Sequence, residues 1–231
     1  MFNILQLNVK CYLNNNIKEE DVLNQIRFCI DLTLGKNKEF LEFHNKNCFK
    51  NYSFNSFYPI EFNKVYKEDN IYTFQIRTAD KNLAMYLSEE LPKVFTDCIK
   101  ILKVDIKIIN KKHLSKIYSL TPAVMKNDFG YWKGNMSLED YEKRIKVNLI
   151  KKYNEFTGEK INENFQLFNS IEMKNNKPIS VKYKGINLLG DKVSLNVADD
   201  EVSQCIAWFA VAVGILENNS AGFGYMNFRY L

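Results

Sequence analysis

Residues 2–34 read FNILQLNVKCYLNNNIKEEDVLNQIRFCIDLTL, and the hydrophobic period changes inside that stretch. Phe2, Ile4, Leu5, Leu7, Val9, Cys11 and Leu13 alternate with Asn3, Gln6, Asn8, Lys10 and Tyr12, the near two-residue period of a strand with one buried face. Over residues 19–34 the apolar positions Val22, Ile26, Cys29, Ile30 and Thr33 recur at three and four, which predicts a helix with Gly35 as its stop.

Working outward, a polar loop leads to two extended segments, Ser53 to Phe62 and Ile71 to Arg77, joined by KVYKEDN with its turn-forming Glu68-Asp69-Asn70. These form a hairpin. Asp80 can cap a helix whose face carries Leu83, Tyr86, Leu87 and Leu91, and Ile101 to Ile109 returns to alternation. The order is β-α-β-β-α-β.

The second half repeats that order. IYSLTPAV is extended, and a helix from Ser137 carries Leu138, Tyr141, Ile145, Leu149 and Tyr153 opposite a charged face. Extended runs follow around 165–174 and 178–188. Asp199 or Asp200 then caps a helix with Val202, Ile206, Phe209 and Val213 on its buried face, before a final strand. Capping explains this acidic pair better than metal binding does, because an apolar-periodic segment follows directly. The fold class is α+β, two tandem ferredoxin-like (RRM-like) domains over 1–110 and 111–231. Each antiparallel sheet is backed by helices on one face and open to a partner on the other.

A chain of 231 residues, 46% hydrophobic, has ample material for a core. The net charge of +5 is too small to mark a nucleic-acid protein, so the placement of charge must decide. Five cysteines at 11, 29, 48, 98 and 205 form no CxxC pair and no metal-ligand spacing, and they read as reduced, mostly buried thiols. MFNILQLNVKCYL is unlike a signal sequence, and no apolar stretch reaches spanning length, so the expectation is a cytoplasmic protein with no membrane partner. HExxH, clustered carboxylates, a Walker loop and a GxSxG elbow are all absent from the sequence, leaving no cofactor or metal implied.

The run GILENNSAGFG from Gly214 to Gly224 joins a helix to the last strand. Two readings stand side by side. Free N–H groups of such a loop can cradle an anion, with Gly222 and Gly224 allowing close backbone approach; equally, Gly214 can be a helix C-cap followed by an ordinary turn. Tyr225, Phe228 and Tyr230 follow, some destined for the core by alternation and any of them able to stack on a base.

The ending VAVGILENNSAGFGYMNFRYL, preceded by LNVADDEVSQCIAWFA, resembles the glycine-rich signature of the sixth CRISPR-associated protein family, the repeat-RNA endoribonucleases. IYSLTPAVMKNDFGYW, the helix ending NLIKKYNEFTG, and the early FHNKNCFKNYSFNSFYP are similar to the same family, so the resemblance is nearly full length. It implies metal-independent cleavage of CRISPR precursor RNA within its repeats, with 2′,3′-cyclic phosphate and 5′-hydroxyl ends. In members that use a histidine it follows the first helix, and a lysine a few residues on assists. His44 and Lys50 match that pattern. Some members add a tyrosine in the first helix, where this chain reads Arg27-Phe28-Cys29-Ile30-Asp31. Tyr52 or Ser53 could replace that hydroxyl.

The chemistry is consistent with that assignment. Imidazole suits proton transfer near neutrality, and a lysine can stabilise a phosphorane-like transition state. Of the two histidines, His113 lies in the basic junction Lys111-Lys112-His113, where a linker or phosphate contact fits better. The expected RNA contacts are Gly214, Ser220, Gly222, Gly224, Lys111, Lys112 and Lys116, with Lys151 and Lys152 next. The expected partner is CRISPR repeat RNA, with a homodimer or docking on CRISPR effector subunits also compatible. The rival function is a non-catalytic RNA-binding subunit of a CRISPR ribonucleoprotein.

Overall fold

The structure, a computed structural model, describes residues 2–231. The first half runs β1 (Ile4–Leu13), β2 (Ile17–Lys18), α1 (Glu19–Leu34), α2 (Lys38–Asn45), β3 (Tyr52–Phe54), β4 (Val65–Tyr66), β5 (Ile71–Thr78), α3 (Lys81–Glu90) and β6 (Ile99–Ile109). The second runs β7 (Leu114–Ser119), β8 (Ala123–Val124), α4 (Leu138–Thr157), β9 (Phe168–Met173), β10 (Ile179–Tyr183), β11 (Ile186–Asp191), β12 (Val193–Val197), α5 (Glu201–Val213) and β13 (Met226–Tyr230).

The alternation in β1 does what the period requires. Leu5, Leu7, Val9, Cys11 and Leu13 enter a core with α1 and α3, while Gln6, Asn8 and Lys10 take the other face. β1 is a central strand, with Leu7 opposite Ile76 of β5 and Ile106 of β6. The sheet order β3-β5-β1-β6 is that of a ferredoxin-like unit, and β13-β7-β12-β9 reproduces it in the second half. Asp80 caps α3 as expected, Asp200 is the one of the acidic pair that caps α5, and Ser137 caps α4, each side chain accepting from a backbone N–H three residues on.

Four local expectations need correction. The loop after Gly35 contains α2, an eight-residue helix capped by Asn37, which is hard to read because none of its residues is fully buried. The extended segment from Ser53 is a strand only over 52–54; beyond it Phe57 turns into the core and a single bridge, Tyr58 to Thr73, touches β5. The third strand of the second unit is 193–197, whereas 178–188 falls in a separate β10–β11 hairpin that pairs with β8 as a small third sheet. Finally, Val202 is 42% exposed, and the buried surface of α5 runs nearly all round from Ser203 to Val213.

The burial of α5 explains how the halves meet. One side of α5 packs on its own sheet, and the other packs on β1, β3 and β5 near Ile4 and Ala79. Each large apolar side chain so enclosed contributes about 1.5–3 kcal/mol. Ser53 Oγ donates to the Ala212 carbonyl at 3.1 Å, and Arg77 donates to Gln6 Oε1 at 2.8 Å and to the Met226 carbonyl at 2.5 Å. One end of the first sheet's polar face is therefore covered: Arg77 is 4% exposed, its guanidinium lying 4.7 Å from the Tyr225 ring centre. Lys10, Lys103 and Lys107 leave the remainder open.

Candidate functional site

Arg27 and Asp31 are four apart on α1, off the stripe Val22, Ile26, Cys29, Ile30 and Thr33 that enters the core. Spacing of four puts them on one helix face. Arg27 Nε lies 3.7 Å from Asp31 Oδ2, and His44, on the last turn of α2, brings Nδ1 to 3.6 Å from Asp31 Oδ1. The short connection from α1 to α2 thus folds His44 back over α1.

These side chains form one wall of a cleft of about 610 Å³ between the two halves. The segment from Asn45 to Lys50 closes one side, and the loop from Leu216 to Ala221 faces it together with Lys126, Glu155, Tyr183 and Lys184. Five lysine and arginine side chains (Arg27, Lys46, Lys50, Lys126 and Lys184) stand against three carboxylates, and one of these, Glu217, is held by Arg144 at 2.7 Å. The cleft is cationic. Arg27 lies 5.5 Å from the Tyr183 ring centre, yet its Nε–H and Nη1–H are buried with no hydrogen-bond acceptor in the structure. Buried donors of this kind are expected to find a partner.

Lys50 lines the cleft with His44. Its ammonium donates to the carbonyl oxygens of Phe43 at 2.5 Å and Lys46 at 2.7 Å, near the C-terminus of α2, where a cation is favoured. These bonds hold the charge beside the turn that carries His44.

The glycine loop contributes shape. Gly214, Gly222 and Gly224 have φ of +77°, +87° and +64°, and each lacks room for a side chain. A Cβ on Gly222 would sit 2.7 Å from Phe54, and one on Gly224 2.3 Å from the Ile215 carbonyl. Their own N–H groups are engaged internally, with Ala210, Asn219 and Pro122 carbonyls respectively. The loop surface that reaches the cleft is Leu216 to Ala221, including Ser220 and Asn218, whose Nδ2 is buried without an acceptor.

Beneath that loop lies Lys152, fully enclosed. It donates to the carbonyl oxygens of Leu216 and Gly214 and to Asn219 Oδ1, so it fastens the loop from within. Burial pushes its pKa down to about 7, with Glu217 opposing. Burial also raises the Tyr52 hydroxyl, and the nearby Asp31 carboxylate adds to this, so Tyr52 stays protonated; it adjoins Asp31 and Ser220, inside the protein. Ser53, by contrast, is committed to Ala212.

The structure therefore brings His44, Lys50 and Ser220 into one cleft. Lys111, Lys112 and Lys116 lie elsewhere: Lys111 lines a recess with Phe2 and Phe156, Lys112 sits over Tyr230, and Lys116 is on β7 opposite Asn196 and Arg229. His113 pairs with Asp199 at 3.0 Å. Tyr225 is buried with its hydroxyl on Gln75, and Phe228 packs on Trp208. Among the described residues, no three or more His, Cys, Asp or Glu side chains gather where they could hold a metal ion. The sequence reading missed Arg27, Asp31, Lys126 and Lys184. Only the first two carried a signal, as charged residues four apart opposite an apolar helix stripe.

Comparison with known proteins agrees with this architecture. A protein described as "An RAMP protein binding different RNA substrates" superimposes with a TM-score of 0.74 at 19% identity, over 97% of this chain and 99% of its own. A CRISPR associated protein Cas6 gives 0.70 at 19% over 98% and 99%, and the product of a Cas6-related gene from Pyrococcus furiosus gives 0.68 at 18% over 98% of both chains. At such identities the likeness is one of fold. The search of curated proteins finds no match. The sequence of residues 102–228, however, matches the family described as CRISPR associated protein Cas6, C-terminal. That match spans more than half of the chain, from β6 through the glycine loop into β13, and on it this chain belongs to the Cas6 family of CRISPR-associated proteins.

Proposed function

We propose that this protein binds CRISPR repeat RNA and cuts it without a metal ion, in the cleft that holds His44. The observation that carries the reading is the meeting, in one cationic cleft, of an imidazole, Lys50 and a guanidinium with unpaired N–H groups. Membership of Cas6 supports RNA processing as the setting, and the similar RAMP fold is described as binding RNA substrates.

In this reading His44 takes the proton of the RNA 2′-hydroxyl as that oxygen bonds to phosphorus. The P–O5′ bond breaks and the 5′-oxygen takes a proton from water while the proton held by His44 passes to solvent, giving a 2′,3′-cyclic phosphate and a 5′-hydroxyl. Arg27 and Lys50 supply positive charge to the phosphoryl oxygens as the transition state forms. Ser220 and the surface of the glycine loop contact the strand, while Gly214, Gly222 and Gly224 set the loop's path. Lys111, Lys112 and Lys116 would touch only RNA that runs beyond the cleft. The reading takes the protein to work in the cytoplasm.

Single-turnover cleavage of a cognate repeat RNA tests the role of His44. His44→Ala should lower the rate by about a hundredfold to ten-thousandfold and leave RNA affinity within about twofold. An unchanged rate contradicts the assignment.

A further inference from the structure

Apart from its i,i+4 pairing with Arg27, nothing about helix stability calls for a carboxylate at Asp31. It lies in the last turn of α1, where the carbonyl end of the helix disfavours negative charge, and that turn carries no basic residue. Its Oδ1 is buried and accepts no hydrogen bond. His44 Nδ1 lies 3.6 Å from that oxygen, while Oδ2 faces Arg27 Nε at 3.7 Å. The other groups acting on it are Lys184 from the β10–β11 turn and Tyr52 from β3. Burial raises the pKa of Asp31, and the charges of His44, Arg27 and Lys184 pull it back.

We infer that Asp31 is the positioning residue of this site: its Oδ1 accepts the Nδ1–H of His44, so that Nε2 offers its lone pair to the RNA. This rests on the reading of His44 as the proton acceptor. A base must present an unprotonated nitrogen, and which ring nitrogen carries the proton is set by what the other one bonds to. Free imidazole side chains favour the proton on Nε2, which would leave the catalytic nitrogen blocked. A carboxylate at Nδ1 reverses that preference. A shift of the two side chains by about half an ångström brings the pair to hydrogen-bond length in the free protein. Arg27, four residues back on the same helix, places its charge 3.7 Å from Oδ2, and Oδ1 is the oxygen that faces His44.

The ring-nitrogen spectrum of ¹⁵N-histidine-labelled protein tests this without RNA. The chain has two histidines, so His44→Ala assigns both signals. His113, whose Nε2 faces Asp199 Oδ1 at 3.0 Å, provides an opposite-tautomer reference in the same spectrum. Above the ordinary histidine titration range, wild-type His44 should carry its proton on Nδ1. Asp31→Ala should move it to Nε2 and leave His113 unchanged. Asp31→Asn, which keeps the shape and can turn its NH₂ toward the ring, should do the same if the alanine variant does not fold. Both variants should lose about tenfold to hundredfold in single-turnover rate with RNA affinity held within about twofold. Wild-type His44 protonated on Nε2, or an unchanged tautomer in both variants, overturns the inference. A His44→Ala protein that cuts at the wild-type rate overturns instead the role of His44 on which it rests, and the two failures are read in separate experiments.

Discussion

Lys152 Nζ donates to the Leu216 carbonyl at 2.7 Å from inside the protein, tying helix α4 to the loop that faces His44 across the cleft. The same ammonium reaches the Gly214 carbonyl and Asn219 Oδ1, so three donors meet three acceptors. Asn219 in turn donates to the carbonyl oxygens of Ile215 and Phe223, both at 2.8 Å. The glycine loop is thus held by side chains as well as by its own backbone, and its cleft-facing surface depends on a residue that never meets solvent.

Lys152→Met keeps the stem's apolar contacts and leaves three buried acceptors without their donor. The expected cost is about 3 kcal/mol in urea unfolding. The pH dependence follows from the depressed pKa. The folded-state value is about 7 against 10.5 for the ordinary side chain, so between these values the unfolded chain binds more protons and stability rises with pH. The contribution is flat below about pH 7 and levels off above the ordinary lysine range. Wild type should gain stability from pH 7 to 9 by at most about 1.4 kcal/mol per pH unit, and Lys152→Met should lack that component.

Gly222→Ala sets the packing role of the glycines against an RNA-contact role. The position has φ of +87°, and a Cβ there meets Phe54 at 2.7 Å and Leu23 at 2.8 Å. Together these predict a loss of about 2–4 kcal/mol in chemical unfolding. Ser220→Ala, two residues away but on the cleft surface, should change stability by no more than about 0.5 kcal/mol and act instead on RNA affinity.

The cleft cations should show themselves in the salt dependence of RNA binding. Each lysine or arginine that neutralises a phosphate of a single strand contributes about −0.7 to the slope of log K against log salt. Replacing Lys126 and Lys184 by alanine should therefore flatten the slope by about 1.4, with little change in unfolding midpoint. A slope equal to that of wild type would place the strand elsewhere.

The larger architecture was legible in the sequence because it rests on periodicity. β1 and α1 were marked by a change of period within residues 2–34, and the caps at Asp80, Ser137 and Asp200 announced three helices. What escaped was structure whose signal is tertiary. α2 presents no fully buried residue, so no apolar stripe betrays it, although it is the element that turns His44 toward Asp31. The β10–β11 hairpin reads as one extended run of the main sheet, 178–188, until pairing shows Gly190 against Val124 instead. In the site, His44, Lys50 and Ser220 could be named from the chain, whereas Lys152 reads as a surface cation open to phosphate and Arg77 as the last residue of a strand. Their burial depends on partners about 150 and 62 residues away in sequence, Met226 and Gly214, which no local pattern reveals.

The most direct test of the account is a single-turnover incubation of the protein with cognate repeat RNA in EDTA, beside the same RNA carrying one 2′-deoxy nucleotide at the cut. The account predicts that the first RNA is cleaved to a 2′,3′-cyclic phosphate and a 5′-hydroxyl while the second is bound and left intact. Cleavage of the deoxy substrate, or a requirement for added divalent metal, would contradict attack by the 2′-hydroxyl at His44.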